Sequence, residues 1–469
     1  MAGRLAGRGM WSELERMRRL QWLPASEVQT YALERLRGLL AHATAHVPYY
    51  RDLFERAGIS PDDLQTPADL ARLPITTKAD LRAAFPDRTT AENLPAKRRR
   101  AMVTSGSTGM PLEFHWDSAC ADELLGAYLF SLDWAGAAIW QTRVVVASPA
   151  YFYTNATPSS SWRRLARRAA MGEWSESLPA TDATAAAFQR LVMRMPRRRG
   201  YFIRGYPSTV AHIAGELEEG ALPAYPSAVL TFAETLTPAN AALIGSALRC
   251  RVASHYTSWE VPQMAQTCPD NPDTLHVMSG RVVLSIVRPD GTPAPTGEPG
   301  RVVVTDLANR VMPFINYAVD DTAVAAPACR CGRGLPTLSR IEGRSMERIE
   351  TPAGRRVGGG MLGQFLVSVA GIIPYVVEYQ AEQTAADAVT LRVVPTARFT
   401  GNTGAQLQRR LQTFLGPDIS VEIAVVDSIP LEPSGKRLII RPYVWQSPSA
   451  RGARSIQATT GASGERPAD

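Results

Sequence analysis

With 469 residues, 45% of them hydrophobic and 20% charged, the chain has the balance expected of a soluble globular enzyme and the length for two or three domains. Pro and Gly, 35 of each, imply many turns without low complexity, and no apolar run approaches the roughly 20 residues that cross a bilayer, so no transmembrane helix and no membrane partner are expected. The net charge of +7 goes with short arginine clusters at 98–100, 163–168 and 197–199 that lack interleaved aromatics, a pattern of solvated helix ends and not of a nucleic-acid groove. A modest basic excess also suits anionic small substrates.

The N-terminus has basic residues but neither an apolar core segment nor a cleavage site, so a cytoplasmic protein is expected. In that compartment five cysteines argue against a disulfide framework. Met10, Trp11, Leu14, Met17 and Leu20 fall near helical spacing, and a second amphipathic stretch covers 27–45, predicting helices through the first 60 residues. At 103–114 the segment VTSGSTGMPLEF combines glycines with small hydroxyl residues, which let a backbone turn sharply and point N–H groups and hydroxyls at an anion. It is not a Walker A loop, because no Gly-Lys-Ser/Thr follows its glycines. From 100 to 260, apolar runs at 143–148, 201–206, 228–234 and 251–256 alternate with helical stretches, predicting a largely parallel sheet covered by helices.

The pattern changes at 281. RVVLSIV, a Pro/Gly-rich turn segment and RVVVTDL read as antiparallel strands. Nearby, Cys268, His276, Cys329 and Cys331 offer the Cys₃His set of a structural zinc site, with free thiols as the plainer reading, while Cys120 and Cys250 read as core residues. A second shift near 343–347 opens a compact unit with strands at 375–381, 388–395 and 419–427 and a helix at 404–415. Its last turn, IPLEPSGKRLIIRP at 429–442, presents Lys436 beside an apolar strand, and a compact ammonium there can bridge a carboxylate and a phosphate. Beyond 447 the composition predicts a disordered tail. His42, His46, His115 and His212 read as packing or surface residues.

Taken together, HVPYYRDLFERAGI (46–59), LPITTKADLR (73–82), TSGSTGMPLEF, GYPSTV (205–210), SHYTSWE (254–260) and PSGKR resemble, in order and over nearly the whole chain, the ANL superfamily of adenylate-forming enzymes. The likeness is strongest to the branch of phenylacetate-CoA ligase-like and CapK-like proteins. It implies an α/β fold with a large N-terminal adenylation domain and β subdomain (1–343), a small mobile α+β lid (344–446) and the tail (447–469). It implies that Thr104, Ser105, Gly106, Ser107, Thr108 and Gly109 wrap phosphates, with Leu112 where other members often carry lysine. Ala233 and Glu234 fall at the adenine-contacting turn, Tyr256 at the stacking aromatic, Asp321 at the ribose aspartate and Arg344 at the hinge arginine. Glu260 falls at the Mg²⁺-holding position and Lys436 at the lysine that assists attack of carboxylate on the α-phosphate. Tyr206, Phe232, His255 and Trp259 would line the acyl pocket. Some members of the branch also carry zinc in the cysteine region.

The implied partners are ATP, Mg²⁺, a small carboxylic acid and an acceptor, which is coenzyme A, a carrier-protein thiol or an amine. The triple glycine of VGGGMLG (357–363) permits close backbone approach by that acceptor without naming it. Departures occur at Thr257, where glycine is usual, at Trp259, at Ala318 and Asp320, which replace an arginine and a glycine, and at Met346, where the superfamily often has aspartate. A nucleotide-binding protein without catalysis is the rival these departures leave.

Overall fold

The computed structural model describes residues 8–104, 112–147, 174–342, 348–366, 370–372, 374–430 and 439–441. The chain opens with helices α1 (Arg8–Leu20), α2 (Ala25–His46) and α3 (Pro48–Ala57). Met10, Leu14, Met17 and Leu20 form the buried face of α1, whereas Trp11, one step off that stripe, is 52% exposed. This face crosses α5 (Ser118–Ala135) so closely that a Cβ on Gly126 would stand 2.5 Å from the Met10 carbonyl oxygen. Between them lie α4 (Lys78–Ala84) and a hairpin of β1 (Arg100–Val103) and β2 (Glu113–Trp116).

The central sheet holds eleven of the described strands. One half is parallel, in the order β4-β3-β5-β6-β7, from β3 (Thr142–Ala147), β4 (Trp174–Pro179), β5 (Tyr201–Gly205), β6 (Ala228–Thr231) and β7 (Arg251–Tyr256). Helices α6 (Ala185–Arg194), α7 (Pro207–Glu216) and α8 (Pro238–Leu248) connect these strands and cover one face; α5 covers the other. Burial on both faces explains the near-continuous apolar runs of β3 and β6.

The other half is antiparallel. β8 (Ala265–Thr267), β9 (Leu275–Val277), β10 (Val282–Val287), β11 (Pro299–Asp306), β12 (Tyr317–Ala326) and β13 (Thr337–Glu342) complete the sheet. The predicted β10–β11 pair forms with Val282 opposite Asp306.

Next come a short pair, β14 (Arg348–Glu350) with β15 (Arg356–Gly358), and α9 (Gly359–Gln364). A four-stranded sheet then forms from β16 (Val376–Ala385), β17 (Ala388–Pro395), β18 (Ser420–Val425) and β19 (Ile440–Arg441), packed against α10 (Gly401–Leu415). Tyr206 and Phe232, at the carboxyl ends of β5 and β6, share one apolar cluster with Leu362, Phe365 and Leu366 of this C-terminal part. Cys120 is buried as expected, but Cys250 is only partly so, because it follows the exposed end of α8.

Candidate active site

The site gathers where the parallel half of the sheet meets the antiparallel half, beyond the carboxyl ends of β5, β6 and β7. In open α/β sheets this is the edge where connecting loops diverge and leave room for a ligand. Glu260 follows β7 in a tight turn. The Ser258 hydroxyl accepts from the Val261 N–H at 3.0 Å and the Thr257 hydroxyl from the Gln263 N–H at 3.3 Å. Thr257, where the resemblance expects glycine, has no positive φ, so its β-branched side chain is accommodated without backbone strain.

Glu260 is 8% exposed, and its Oε1 lies 2.8 Å from the Lys78 ammonium, itself 5% exposed. The Tyr317 hydroxyl donates to the same oxygen at 3.3 Å. Burial acts to raise the Glu260 pKa, but Lys78, through charge and hydrogen bond, and Tyr317 outweigh it, so the carboxyl lies below its ordinary value and is ionised at neutral pH. Lys78 reaches this position because Thr77 and Asp80 form a capping box that starts α4. The preceding Thr76 is tied to β12, its N–H donating to the Asn316 carbonyl at 2.9 Å and its carbonyl accepting from Ala318 at 3.0 Å. The sequence reading gave Lys78 no role. The available signal was composition: the chain has only three lysines, Lys78, Lys97 and Lys436, against a large excess of arginine.

Where a nucleotide is expected, the Tyr256 hydroxyl donates to Asp321 Oδ2 at 2.8 Å, joining the expected stacking aromatic to the expected ribose carboxylate. Ala233 turns the chain after β6 with φ at 67°, a left-handed conformation that costs a non-glycine residue on the order of 1 kcal/mol. That turn brings Glu234 to the start of α7, where its carboxylate accepts from the Ser208 N–H at 3.2 Å. Burial raises the Glu234 pKa, and the Ser208 hydrogen bonds offset part of that. Thr104 is buried at the base of the Ser/Thr/Gly loop. Its hydroxyl accepts from the Leu112 N–H at 2.9 Å and its own N–H donates to the Leu112 carbonyl at 2.9 Å, closing the loop's neck. Ser105, Gly106, Ser107, Thr108, Gly109, Arg344 and Lys436 lie outside the described residues.

The four residues expected at the acyl pocket cluster in part. The Tyr206 and Phe232 rings meet at 5.3 Å between centroids, and Trp259 is half-buried in the Glu260 turn. His255 is 2% exposed, and burial, helped by the nearby Arg204 guanidinium, drives its pKa down to about 3, so the ring is neutral. Arg204 itself, stacked over Phe232, was passed over in the sequence because its strand reads simply as apolar.

Away from this edge, Cys268, His276, Cys329 and Cys331 converge, one ligand atom from each lying within 4.8 Å of the others. The Cys331 sulfur is 3.3 Å from His276 Nε2, and the Cys329 and Cys268 sulfurs are 3.9 Å apart. Tetrahedral thiolate ligands on zinc at ~2.3 Å stand about 3.8 Å from one another, so the spacing fits. His276 Nδ1 lies 3.2 Å from the Leu335 carbonyl, a contact that sets this nitrogen as donor and leaves Nε2 its lone pair toward Cys331. Trp134 packs edge-on against the imidazole, with ring centroids 5.6 Å apart.

The chain is similar in fold and in sequence to adenylate-forming ligases. In sequence it is phenylacetate-CoA ligase-like: it is 28% identical over 335 residues to the phenylacetate-coenzyme A ligase of Thermus thermophilus, covering 70% of this chain and 72% of that one. It is 29% identical over 333 residues to the Escherichia coli phenylacetate-coenzyme A ligase, covering 68% and 71%. The fold matches a 2-hydroxyisobutyryl-CoA ligase solved with its acyl-AMP and CoA, at a TM-score of 0.61 and 22% identity, over 90% of this chain and 92% of the other. No family model matches the chain.

Proposed function

We propose that the protein activates a small carboxylic acid with ATP, forming an acyl-AMP and releasing pyrophosphate, and then transfers the acyl group to coenzyme A. The observation that carries this reading is the pair of carboxylates on the antiparallel side of the switch point. Asp321 is held by the Tyr256 hydroxyl, as a ribose acceptor needs to be, and Glu260 is buried, ionised and fixed by Lys78 and Tyr317. Coenzyme A is favoured over an amine or carrier thiol because it is the acceptor named for the sequence relatives.

The chemistry asks the protein for positioning and charge compensation. A carboxylate must approach the α-phosphorus of an anionic nucleotide, and the leaving pyrophosphate must be held. Asp321 and Tyr256 would fix the ribose and adenine, and the Thr104 neck with the loop above it would present donors to the β- and γ-phosphates. A hard, ionised carboxylate suits Mg²⁺, so Glu260 is the residue that would hold the ion on the phosphates, where the metal would supply charge neutralisation. Lys78 then keeps that carboxylate deprotonated and aimed. Lys436, on a C-terminal lid spanning 344–446, would approach the reacting carboxylate and shield the acyl-AMP from water. The Cys₃His cluster would hold a structural zinc, with no open ligand position for chemistry. A cytoplasmic location fits five cysteines in no disulfide.

The test is pyrophosphate release from Mg·ATP across aromatic and short aliphatic acids, each run with hydroxylamine, with coenzyme A and with neither. Acid-dependent release that rises further with coenzyme A is the expected result. Lys436→Ala should abolish it while nucleotide binding survives; unchanged turnover in that variant would sink the mechanism.

A further inference from the structure

On the α5 side of the sheet, next to the proposed acyl pocket, four polar side chains carry unsatisfied atoms. The Arg204 guanidinium is sandwiched between Tyr128 and Phe232, 5.0 Å and 4.8 Å from their ring centroids. Its buried Nε has no hydrogen-bond partner, and no carboxylate pairs with it among the described residues. The buried Tyr128 hydroxyl is likewise unpartnered, and so are both ring nitrogens of His255. Gln266, directly across from His255 on β8, spends its amide N–H on the Ser131 carbonyl at 2.9 Å and leaves its Oε1 unmatched. These groups converge from β5, β7, β8 and α5 on one face of the sheet.

Their place in the chain ties them to the acid. Arg204 lies two residues before Tyr206, Phe232 adjoins the Ala233 turn, and His255 immediately precedes Tyr256. Buried polar groups are almost always hydrogen-bonded, and a guanidinium screened by two rings without an anion is costly. A pocket meant for a plain hydrocarbon acid would place apolar side chains here.

We propose that Arg204, Tyr128 and His255 recognise a second oxygen function, a hydroxyl or a carboxylate, on the acyl part of the acid, so that the preferred substrates are oxygenated acids. The inference rests on the reading of this pocket as the acyl site. Arg204 and Tyr128 donate to that oxygen. The neutral His255 ring, with one donor and one acceptor nitrogen, serves either a carboxylate or a hydroxyl. A site built to hydrogen-bond a substrate oxygen rejects the analogue that lacks it far more strongly than an apolar pocket rejects a misfit.

The experiment compares matched acids in two series. One series is phenylacetate, 4-hydroxyphenylacetate and 4-carboxyphenylacetate; the other is butyrate, 4-hydroxybutyrate and succinate. Binding is measured by calorimetry in the presence of a non-hydrolysable ATP analogue, and pyrophosphate release is followed in parallel with ATP. At least one oxygenated acid should bind on the order of 100-fold tighter than its parent. The hydroxyl and carboxylate arms show which oxygen the site prefers. Arg204→Met should bring that ratio near one, and Tyr128→Phe, which removes only an unpartnered hydroxyl and keeps the ring, should lower it about tenfold. Parity between parent and oxygenated acids in both series, absent binding included, overturns the proposal, as does a preference that survives Arg204→Met. Preferential binding without pyrophosphate release would instead refute the adenylation reading and leave this one standing, whereas equal release from parent and oxygenated acids would do the reverse.

Discussion

Lys78 and Glu260 are both buried and in direct contact, so the pair has a measurable signature. In Lys78→Met the Glu260 carboxylate keeps its burial and the Tyr317 hydroxyl but loses the charge that holds its pKa down. Removing one partner of a buried ion pair typically costs about 3–5 kcal/mol, because the other charge is stranded. For a cooperative unit of roughly 300 residues, an unfolding entropy near 2.1 cal/mol/K per residue makes ~3 kcal/mol equivalent to a fall in Tm of about 5 °C. Glu260→Gln should cost a similar amount, since it strands the Lys78 ammonium. The double variant should be destabilised by about 2–3 kcal/mol less than the sum of the singles.

The pH dependence follows from the lowered Glu260 pKa. The pair's contribution is complete above the ordinary glutamate range near 4.5 and is lost as pH falls through the lower, folded-state value. Urea unfolding of the four proteins at pH 7.5 gives the coupling directly. Additivity within about 0.5 kcal/mol would show that the contact is not energetically real and remove Lys78 from the account of the site.

Tyr256→Phe deletes the hydroxyl that holds Asp321 and should raise the KM for ATP about tenfold or more with little change in Tm, read from initial rates; an unchanged KM would detach Tyr256 from the nucleotide. Purified protein should carry about one zinc per chain by elemental analysis, and Cys268→Ser with Cys331→Ser should lose the metal and lower Tm; a metal-free protein with the same Tm would refute the site. His255 is held neutral down to about pH 3, while its unfolded value lies near 6.5. Protonation of the unfolded chain should therefore remove about 1 kcal/mol of stability per pH unit between pH 6 and 4, and His255→Leu should flatten the curve by that amount. Parallel curves for the two proteins would contradict it.

Much of the scaffold was readable because single elements carry strong local patterns. β17 occupies the expected 388–395 and β7 the expected run 251–256, each an apolar stretch bounded by turn residues. α10 begins at Gly401, three residues before its predicted start, because Thr400 caps it through the Thr403 N–H. β16 runs on to Ala385, since its polar C-terminal half pairs with β17 and shows no apolar period. Helix α5 lies in the stretch where the alternation predicts helices, but the sequence gives no bounds for it. It is buried on nearly every side, against α1 and the sheet, and such a helix shows no amphipathic stripe for periodicity to detect.

The site divides along the same physical line. Tyr256, Glu260 and Asp321 stand in motifs that single them out by their order in the chain, and the fold brings them to one edge. Lys78 stands in no chemical motif; its position is made by topology, through the capping box that starts α4 and the backbone bridge from Thr76 to β12. The Ser/Thr/Gly loop is followed by Leu112, fully buried, at the position where the resemblance leads one to expect lysine in other members. A buried cation does stand nearby in the fold, on another element 34 residues earlier in sequence, where Lys78 pairs with Glu260. Lys78 is buried against Glu260, and a compact ammonium with a single nitrogen differs there from the broad planar fork of a guanidinium. On this reasoning Lys78→Arg should be destabilising although it keeps the charge, because a larger planar group must replace a compact one at a position only 5% exposed; urea unfolding indistinguishable from that of the parent would contradict it.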